Sequence, residues 1–199
     1  MPPPLLYYIR HGETDWNIDG RLQGGRDIPL NATGRAQALR CGEILHDLLA
    51  RDGRAPTAFD FVASPLGRAR STMEIMRATL GVDPQAYRVD QRLTEVGFGQ
   101  WEGFTTAELE RRDPEAASLR ERDKWRFVPP DGESYEAMSL RVGGWYRELT
   151  ADTVAVAHGG VLRGLIAALG IASVEEAPAL NIAQGVVYLI AQGRMTRYA

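Results

Sequence analysis

The stretch Leu5-Leu6-Tyr7-Tyr8-Ile9-Arg10-His11-Gly12-Glu13 decides how this sequence is read, because an apolar run ends there on a cation, an imidazole and a glycine. Leu5 to Ile9 is an apolar run that reads as the first strand. A strand that feeds a polar, glycine-rich loop is where open α/β sheets bind ligands, beyond the carboxyl ends of the strands. In a regular strand Arg10 and His11 point to opposite faces. Both reach one ligand only if the chain leaves strand conformation there, which Gly12 permits. Three residues make a weak motif on their own, so the rest of the chain must supply partners.

Two further segments repeat the pattern. Phe59 to Ala63 reads as a second strand, with Ser64 as N-cap, Pro65 at the first helical position and an apolar stripe of Leu66, Ala69, Met73, Met76 and Leu80 behind it. Thr153 to Ala157 is the most clearly buried strand, followed by His158-Gly159-Gly160 and an apolar helix from Val161 to Leu169. Between these units, residues 12 to 32 read as a loop, and Ala38, Cys41, Leu45, Leu48 and Leu49 mark a helix from about Thr33 to Ala50. A short extended piece at Tyr87 to Val89 leads to Glu95 and a loop punctuated by Gly97, Gly99 and Gly103. Residues 105 to 124 are charged and helical, with Pro114 starting a second helix, and a helix from Ser134 to Leu149 carries Gly143-Gly144 inside it. Gly185 to Ile190 and Met195 to Tyr198, split by Gln192-Gly193-Arg194, form a hairpin. The expected architecture is a three-layer α/β/α sandwich with a mostly parallel sheet and an antiparallel edge strand, built as one domain over residues 1–199.

A chain of 199 residues, 44% hydrophobic and 25% charged, buries one sizeable core. A net charge of −3 gives no overall reason to expect a nucleic-acid partner, although a local basic cleft still suits a small anion. Cys41 is the only cysteine, so no intramolecular disulfide forms, which fits a reducing compartment. Met1-Pro2-Pro3-Pro4 lacks the basic and apolar segments of a signal peptide, and no apolar run is long enough for a membrane span. The expectation is a cytoplasmic protein.

Three strand ends thus deliver Arg10 with His11, then Arg68, then His158. In the two later cases a helix begins at once and aims its free N–H groups and positive dipole end at the same region. An anion belongs there, and Arg68 on the first turn could grip two phosphoryl oxygens, the plainer alternative being a surface ion pair. His46 falls inside a helix and stays out of this group. The His11/His158 pair lacks metal-site spacing, and its neighbours are arginines, which repel a cation, so neither a metal nor another cofactor is expected. Histidine with arginine suits phosphoryl transfer, in which a neutral imidazole attacks phosphorus while cations hold the equatorial oxygens. The departing oxygen needs an acid. Glu95 is the candidate, with Glu13, which could instead orient His11 and Arg10, and Glu102, which could bond locally within Trp101-Glu102-Gly103, as competitors.

These residues resemble the histidine phosphatase superfamily, which includes cofactor-dependent phosphoglycerate mutases and many phosphatases. The resemblance rests on Arg10-His11-Gly12-Glu13-Thr14 with Trp16-Asn17 and Arg21-Leu22-Gln23-Gly24, on Ser64-Pro65-Leu66-x-Arg68-Ala69-x-x-Thr72, on Arg92-Leu93-x-Glu95 with Phe98-Gly99-x-Trp101-Glu102-Gly103, and on Val156-Ala157-His158-Gly159-Gly160, in family order. It implies His11 as the phosphorylated nucleophile, Arg10, Arg68 and His158 as the phosphate pocket, and Glu95 as the proton donor. It further implies Asn17 as a phosphate contact and Gln23, Gly24 and Gly159 as substrate-binding positions. Phe98 to Gly103 and the short chain resemble the phosphatase branch, so a metal-independent phosphomonoesterase acting on a small phosphorylated substrate is expected. Trp125-Arg126-Phe127 partly echoes the carboxylate-binding arginines of mutases, which keeps a mutase as the alternative; the non-enzymatic alternative is a regulatory module that binds a phosphorylated ligand. Asp131-Gly132-Glu133-Ser134 again resembles the phosphatases, with Glu133 either at the pocket rim or a helix-start acid beside an N-cap Ser134. Residues 104 to 133 are expected to shape the leaving-group pocket.

Overall fold

The computed structural model describes residues 3–199, so Met1 and Pro2 of the N-terminal stretch read above lie outside it. Strand β1 (Leu6–Arg10) opens the chain. A one-turn helix α1 (Asp15–Ile18) interrupts the expected loop, closed by a capping box in which the Thr14 hydroxyl and the Asn17 side chain accept each other's backbone N–H groups. Helix α2 (Ala32–Arg51) begins under the side chain of Asn31, which accepts the Gly34 N–H. Strand β2 (Asp60–Ala63), helix α3 (Gly67–Thr79) and a two-residue strand β3 (Arg88–Val89) complete the first half. The second half contains α4 (Thr106–Arg112), α5 (Pro114–Arg122), α6 (Tyr135–Arg147), β4 (Thr153–Ala157), α7 (Gly159–Ala168) and the hairpin β5 (Val187–Ala191) with β6 (Arg194–Tyr198).

Among the described residues six strands lie in the order β3-β2-β4-β1-β5-β6. β3, β2, β4 and β1 are mutually parallel, β5 runs antiparallel to β1, and β6 antiparallel to β5. The antiparallel strand is therefore one in from the edge, with β6 outside it. Period-two alternation sorts the core: Leu6, Tyr8, Ala155 and Ala157 face α6 and α7 with Met138, Val142, Trp145 and Leu165, while Tyr7, Ile9, Val154 and Val156 face α2 and α3 with Leu45, Leu49, Met73 and Met76. Both faces are covered, which is why β1 and β4 read as unbroken apolar runs.

Two helix starts differ from the expectation. Ser64 does not cap α3, and Pro65 is not its first residue: the helix begins at Gly67 after Leu66, which makes no side-chain cap. The Gly67 N–H is satisfied by Asp27 Oδ2 at 2.9 Å, from a loop forty residues away in sequence, so no local pattern could announce it. α7 begins at Gly159 rather than Val161. Its second residue must be glycine because a side chain there would collide: a Cβ at Gly160 would lie 2.3 Å from Glu95 Oε1.

Candidate active site

Parallel pairing places the carboxyl ends of β1, β2 and β4 side by side. Arg10 is in register with Ala157, and the ladder runs one step further, with His11 N donating to Ala157 O and Ser64 N to Val156 O, both at 2.9 Å. His11, Ser64 and His158 are thereby neighbours at the carboxyl end of the sheet. Gly12 serves this turn by close approach rather than by conformational freedom, since a Cβ there would sit 2.1 Å from the Gly34 carbonyl oxygen. The Gly12 N–H donates to Thr72 Oγ1, which in turn donates to the Arg68 carbonyl, so the loop and α3 are tied together.

His11 is 2% exposed. Its Nδ1 lies 2.7 Å from the Gly12 carbonyl, a group that can only accept, so Nδ1 carries the proton and Nε2 the lone pair. Arg68 Nε donates to that Nε2 at 3.3 Å. Burial first, then the charges of Arg68 and Arg10, hold the His11 pKa well below the ordinary imidazole value. The His158 ring meets that of His11 edge-on at 5.1 Å between centroids, and its Nε2 pairs with Ser64 Oγ at 2.7 Å. Its pKa is also well below the ordinary value, through burial, Arg68, His11 and Arg10 in that order. Arg68 is fixed by the carbonyls of Gly24 and Arg26, and Arg10 by that of Ile182. Burial lowers the pKa of both arginines, with Glu95 opposing the shift. Among the described residues, the buried side-chain atoms with no hydrogen-bond partner are Arg10 Nε, Gln23 Oε1 and His158 Nδ1, all in this cluster.

Arg10, His11, Asn17, Gln23, Gly24, Arg68 and Glu95 line one cavity of about 130 Å³. Of the expected set, His158 lies behind His11 and Gly159 behind Arg10, where a Cβ on the glycine would come within 3.4 Å of Arg10 Nε. The Glu95 carboxylate accepts the N–H groups of Val96 (3.0 Å) and Gly160 (3.2 Å), so it sits at the first turn of α7. Its competitors are engaged elsewhere. Glu13 accepts from Asn31 Nδ2, and Glu102 reaches across to the Gly25 N–H as well as to Phe98 N. Gly24 has φ +52 and leaves room for that Glu102 carboxylate, whose Oε1 would lie 2.0 Å from a Cβ. The outer wall comes from Phe98, Tyr135 and Arg163, not from residues 104 to 133. α4 and α5 instead flank a separate, mostly apolar cavity of about 360 Å³ beside Trp101. Arg126 lies outside the site, paired with Asp123 and Glu136.

Sequence reasoning missed several supports. Gln184 donates to the His11 carbonyl (3.1 Å) and Asn17 Oδ1 (3.0 Å) from a loop with no pattern to mark it. Arg163, a lone cation in an otherwise apolar helix one turn beyond His158, was the detectable signal. Ser64 stands out in the sequence as a polar residue at a strand end, but its hydroxyl serves His158 and not a helix cap.

A buried histidine with its lone pair free of a proton, flanked by the buried Arg68 and the half-buried Arg10 at the ends of parallel strands, is the arrangement of a phosphoryl-transfer enzyme. The chain matches the family model of the histidine phosphatase superfamily (branch 1) over residues 6–196. It is 34% identical over 189 residues to the glucosyl-3-phosphoglycerate phosphatase of Mycobacterium tuberculosis, covering 88% of this chain and 79% of that protein. It is 29% identical over 185 residues to 2,3-bisphosphoglycerate-dependent phosphoglycerate mutase 2 of Gloeobacter violaceus, covering 89% and 81%. The solved alpha-ribazole phosphatase of Shigella flexneri superposes with a TM-score of 0.79 at 30% identity, covering 96% of this chain and 93% of that one. The chain belongs to the histidine phosphatase superfamily and is an enzyme of the phosphatase kind, in a family whose chemistry runs through a phosphohistidine. Among the described residues no helix is long and apolar enough to cross a membrane.

Proposed function

We propose that His11 is the phosphorylated nucleophile and Glu95 the general acid and base of a two-step phosphomonoester hydrolysis, carried by residues 1–199 as one domain. In the first step His11 Nε2 attacks phosphorus, the bond from phosphorus to the ester oxygen breaks, and Glu95 gives its proton to that oxygen. In the second, the Glu95 carboxylate takes a proton from water, the water oxygen displaces Nε2, and inorganic phosphate leaves. Arg10 and Arg68 hold the equatorial oxygens. His158, its Nε2 held by Ser64, and Gly159 support the pocket from behind, while Asn17, Gln23 and Gly24 shape its walls. Uncatalysed phosphomonoester hydrolysis is so slow that the site must lower the barrier by about 20 kcal/mol or more. One well-placed donor supplies about 3–4 kcal/mol, so the whole constellation is needed.

The observation that carries this reading is the Nδ1–H to Gly12 carbonyl bond, which leaves Nε2 unprotonated and facing Arg68. Hydrolysis is favoured over the mutase reaction because Arg126, the partial echo of a carboxylate clamp, is tied to surface carboxylates outside the cavity. A small phosphorylated substrate suits a cavity of this size, and a buried free Cys41 suits a cytoplasmic location. Incubation with a radiolabelled aryl phosphate and acid-sensitive quenching tests the assignment. Wild-type protein should carry acid-labile label and turn over in the presence of EDTA, and His11→Ala should do neither. Full turnover by His11→Ala would sink it.

A further inference from the structure

The loop that presents Glu95 is held by two residues that do not line the cavity. Arg141, on α6, donates through Nη1 to the Arg92 carbonyl at 2.6 Å and through Nη2 to the Glu95 carbonyl at 3.4 Å. The same guanidinium is gripped by both oxygens of Glu133, with Nε to Oε1 at 2.9 Å and Nη2 to Oε2 at 2.8 Å. Glu133 is in turn bound to the loop, because its N–H donates to the Gly97 carbonyl at 2.8 Å. A closed ring therefore runs from the loop through Arg141 and Glu133 and back to the loop two residues beyond Glu95. Glu133 does not line the cavity; it stands directly before Ser134, the N-cap of α6, as the second of the two sequence readings has it, and its carboxylate is committed to Arg141.

We infer that Glu133 and Arg141 are positioning residues that fix the backbone of Glu95, and with it the reach of the proton donor to the leaving oxygen. A bidentate carboxylate–guanidinium pair is planar and directional, so it holds the two accepting carbonyls in one orientation, which a lysine cannot do. A displacement of about 1 Å at a proton donor can cost on the order of 100-fold in rate. The inference rests on Glu95 as the proton donor.

The test uses the dependence of kcat/KM on the leaving group, since kcat/KM reports only steps up to formation of the phosphoenzyme. Alkyl phosphates expel a strongly basic alkoxide and need the acid, whereas 2,4-dinitrophenyl phosphate expels a weak base and hardly does. Arg141→Met and Glu133→Gln should lower kcat/KM for alkyl phosphates by about 10- to 100-fold and for the dinitrophenyl ester by no more than about threefold. Arg141→Lys should fall between Met and wild type. In the Glu95→Gln background, Arg141→Met should cost at most about threefold further on the alkyl ester, because the proton it positions is gone. Equal losses on both esters, or a full additional loss in the Glu95→Gln background, would overturn the inference. If Glu95→Gln itself shows no leaving-group dependence, the role of Glu95 fails instead. Thermal unfolding of each variant identifies any that do not fold, and Glu133→Gln, which conserves shape, decides the question should Arg141→Met be among them.

Discussion

Each imidazole in the site is anchored through one nitrogen by an uncharged group of the protein, and the two anchors differ in kind. His11 Nδ1 is bound to a backbone carbonyl, which no substitution removes, whereas His158 Nε2 depends on the single hydroxyl of Ser64. Ser64→Ala leaves His158 buried with both nitrogens unpartnered, and an unsatisfied buried polar group costs about 1–3 kcal/mol. Urea denaturation should register that loss. It should shrink to near zero in the His158→Ala background if the bond is the cause, and persist there if Ser64 supports α3 instead. This residue also marks the limit of reading the sequence. Ser64-Pro65 before an apolar stripe has the chemistry of a helix start, and only the fold brings Asp27 to Gly67 and His158 to Ser64. Arg10, His11, Arg68 and His158 were legible because Arg10 ends β1, His11 and His158 directly follow β1 and β4, and Arg68 lies in the first turn of the helix after β2, so the parallel sheet fixes their neighbourhood. Gln184, in an irregular loop, had no such frame.

Among the elements, the glycines separate two kinds of requirement. Gly34, in the first turn of α2, lies so close to the active-site loop that a Cβ would stand 2.1 Å from the Glu13 carbonyl oxygen and 2.7 Å from its nitrogen. Those neighbours are backbone and cannot rotate away. Gly34→Ala should therefore destabilise the protein by about 1–3 kcal/mol, and lower kcat as well, because the displaced segment carries His11. Gly144, inside α6, has nothing within 4 Å of its would-be Cβ. Gly144→Ala should stabilise by about 0.5–1 kcal/mol through the helix propensity gained, with kcat retained. Chemical denaturation of both variants checks the opposite signs. The Gly143-Gly144 pair looked from sequence like a weakness in the helix. Only Gly143 has a packing reason, since its Cβ would lie 3.0 Å from that of Ala168 where α6 crosses α7. Helix existence was legible from apolar spacing; which glycine is forced was not, because that depends on the neighbouring element.

At the scale of the whole molecule, the fold takes two imidazoles out of water and surrounds them with cations, and that must appear in how stability depends on pH. His11 and His158 both have folded pKa values well below the ordinary value of about 6.5, burial being the first cause in each. An unfolded chain binds protons at these rings as the pH falls below about 6.5, and the folded chain does not. Stability is therefore fully present above that pH and declines below it, until the folded rings themselves titrate, each ring contributing up to about 1.4 kcal/mol per pH unit. The carboxylates with lowered pKa values act in a different window. Asp90, held down chiefly by hydrogen bonds from Arg92, and Glu108, held down chiefly by the Thr105 N–H, lose their contribution only as the pH falls through the carboxylate range near 4. Between pH 6.5 and 5 the histidines dominate. The urea midpoint should fall steadily across that interval, and the His11→Asn/His158→Asn double variant should flatten the slope there while keeping the acid transition near pH 4. A wild-type midpoint that stays level from pH 7 to 5 would mean that both rings accept protons inside the folded protein, contrary to the neutral His11 on which the phosphoryl-transfer assignment depends.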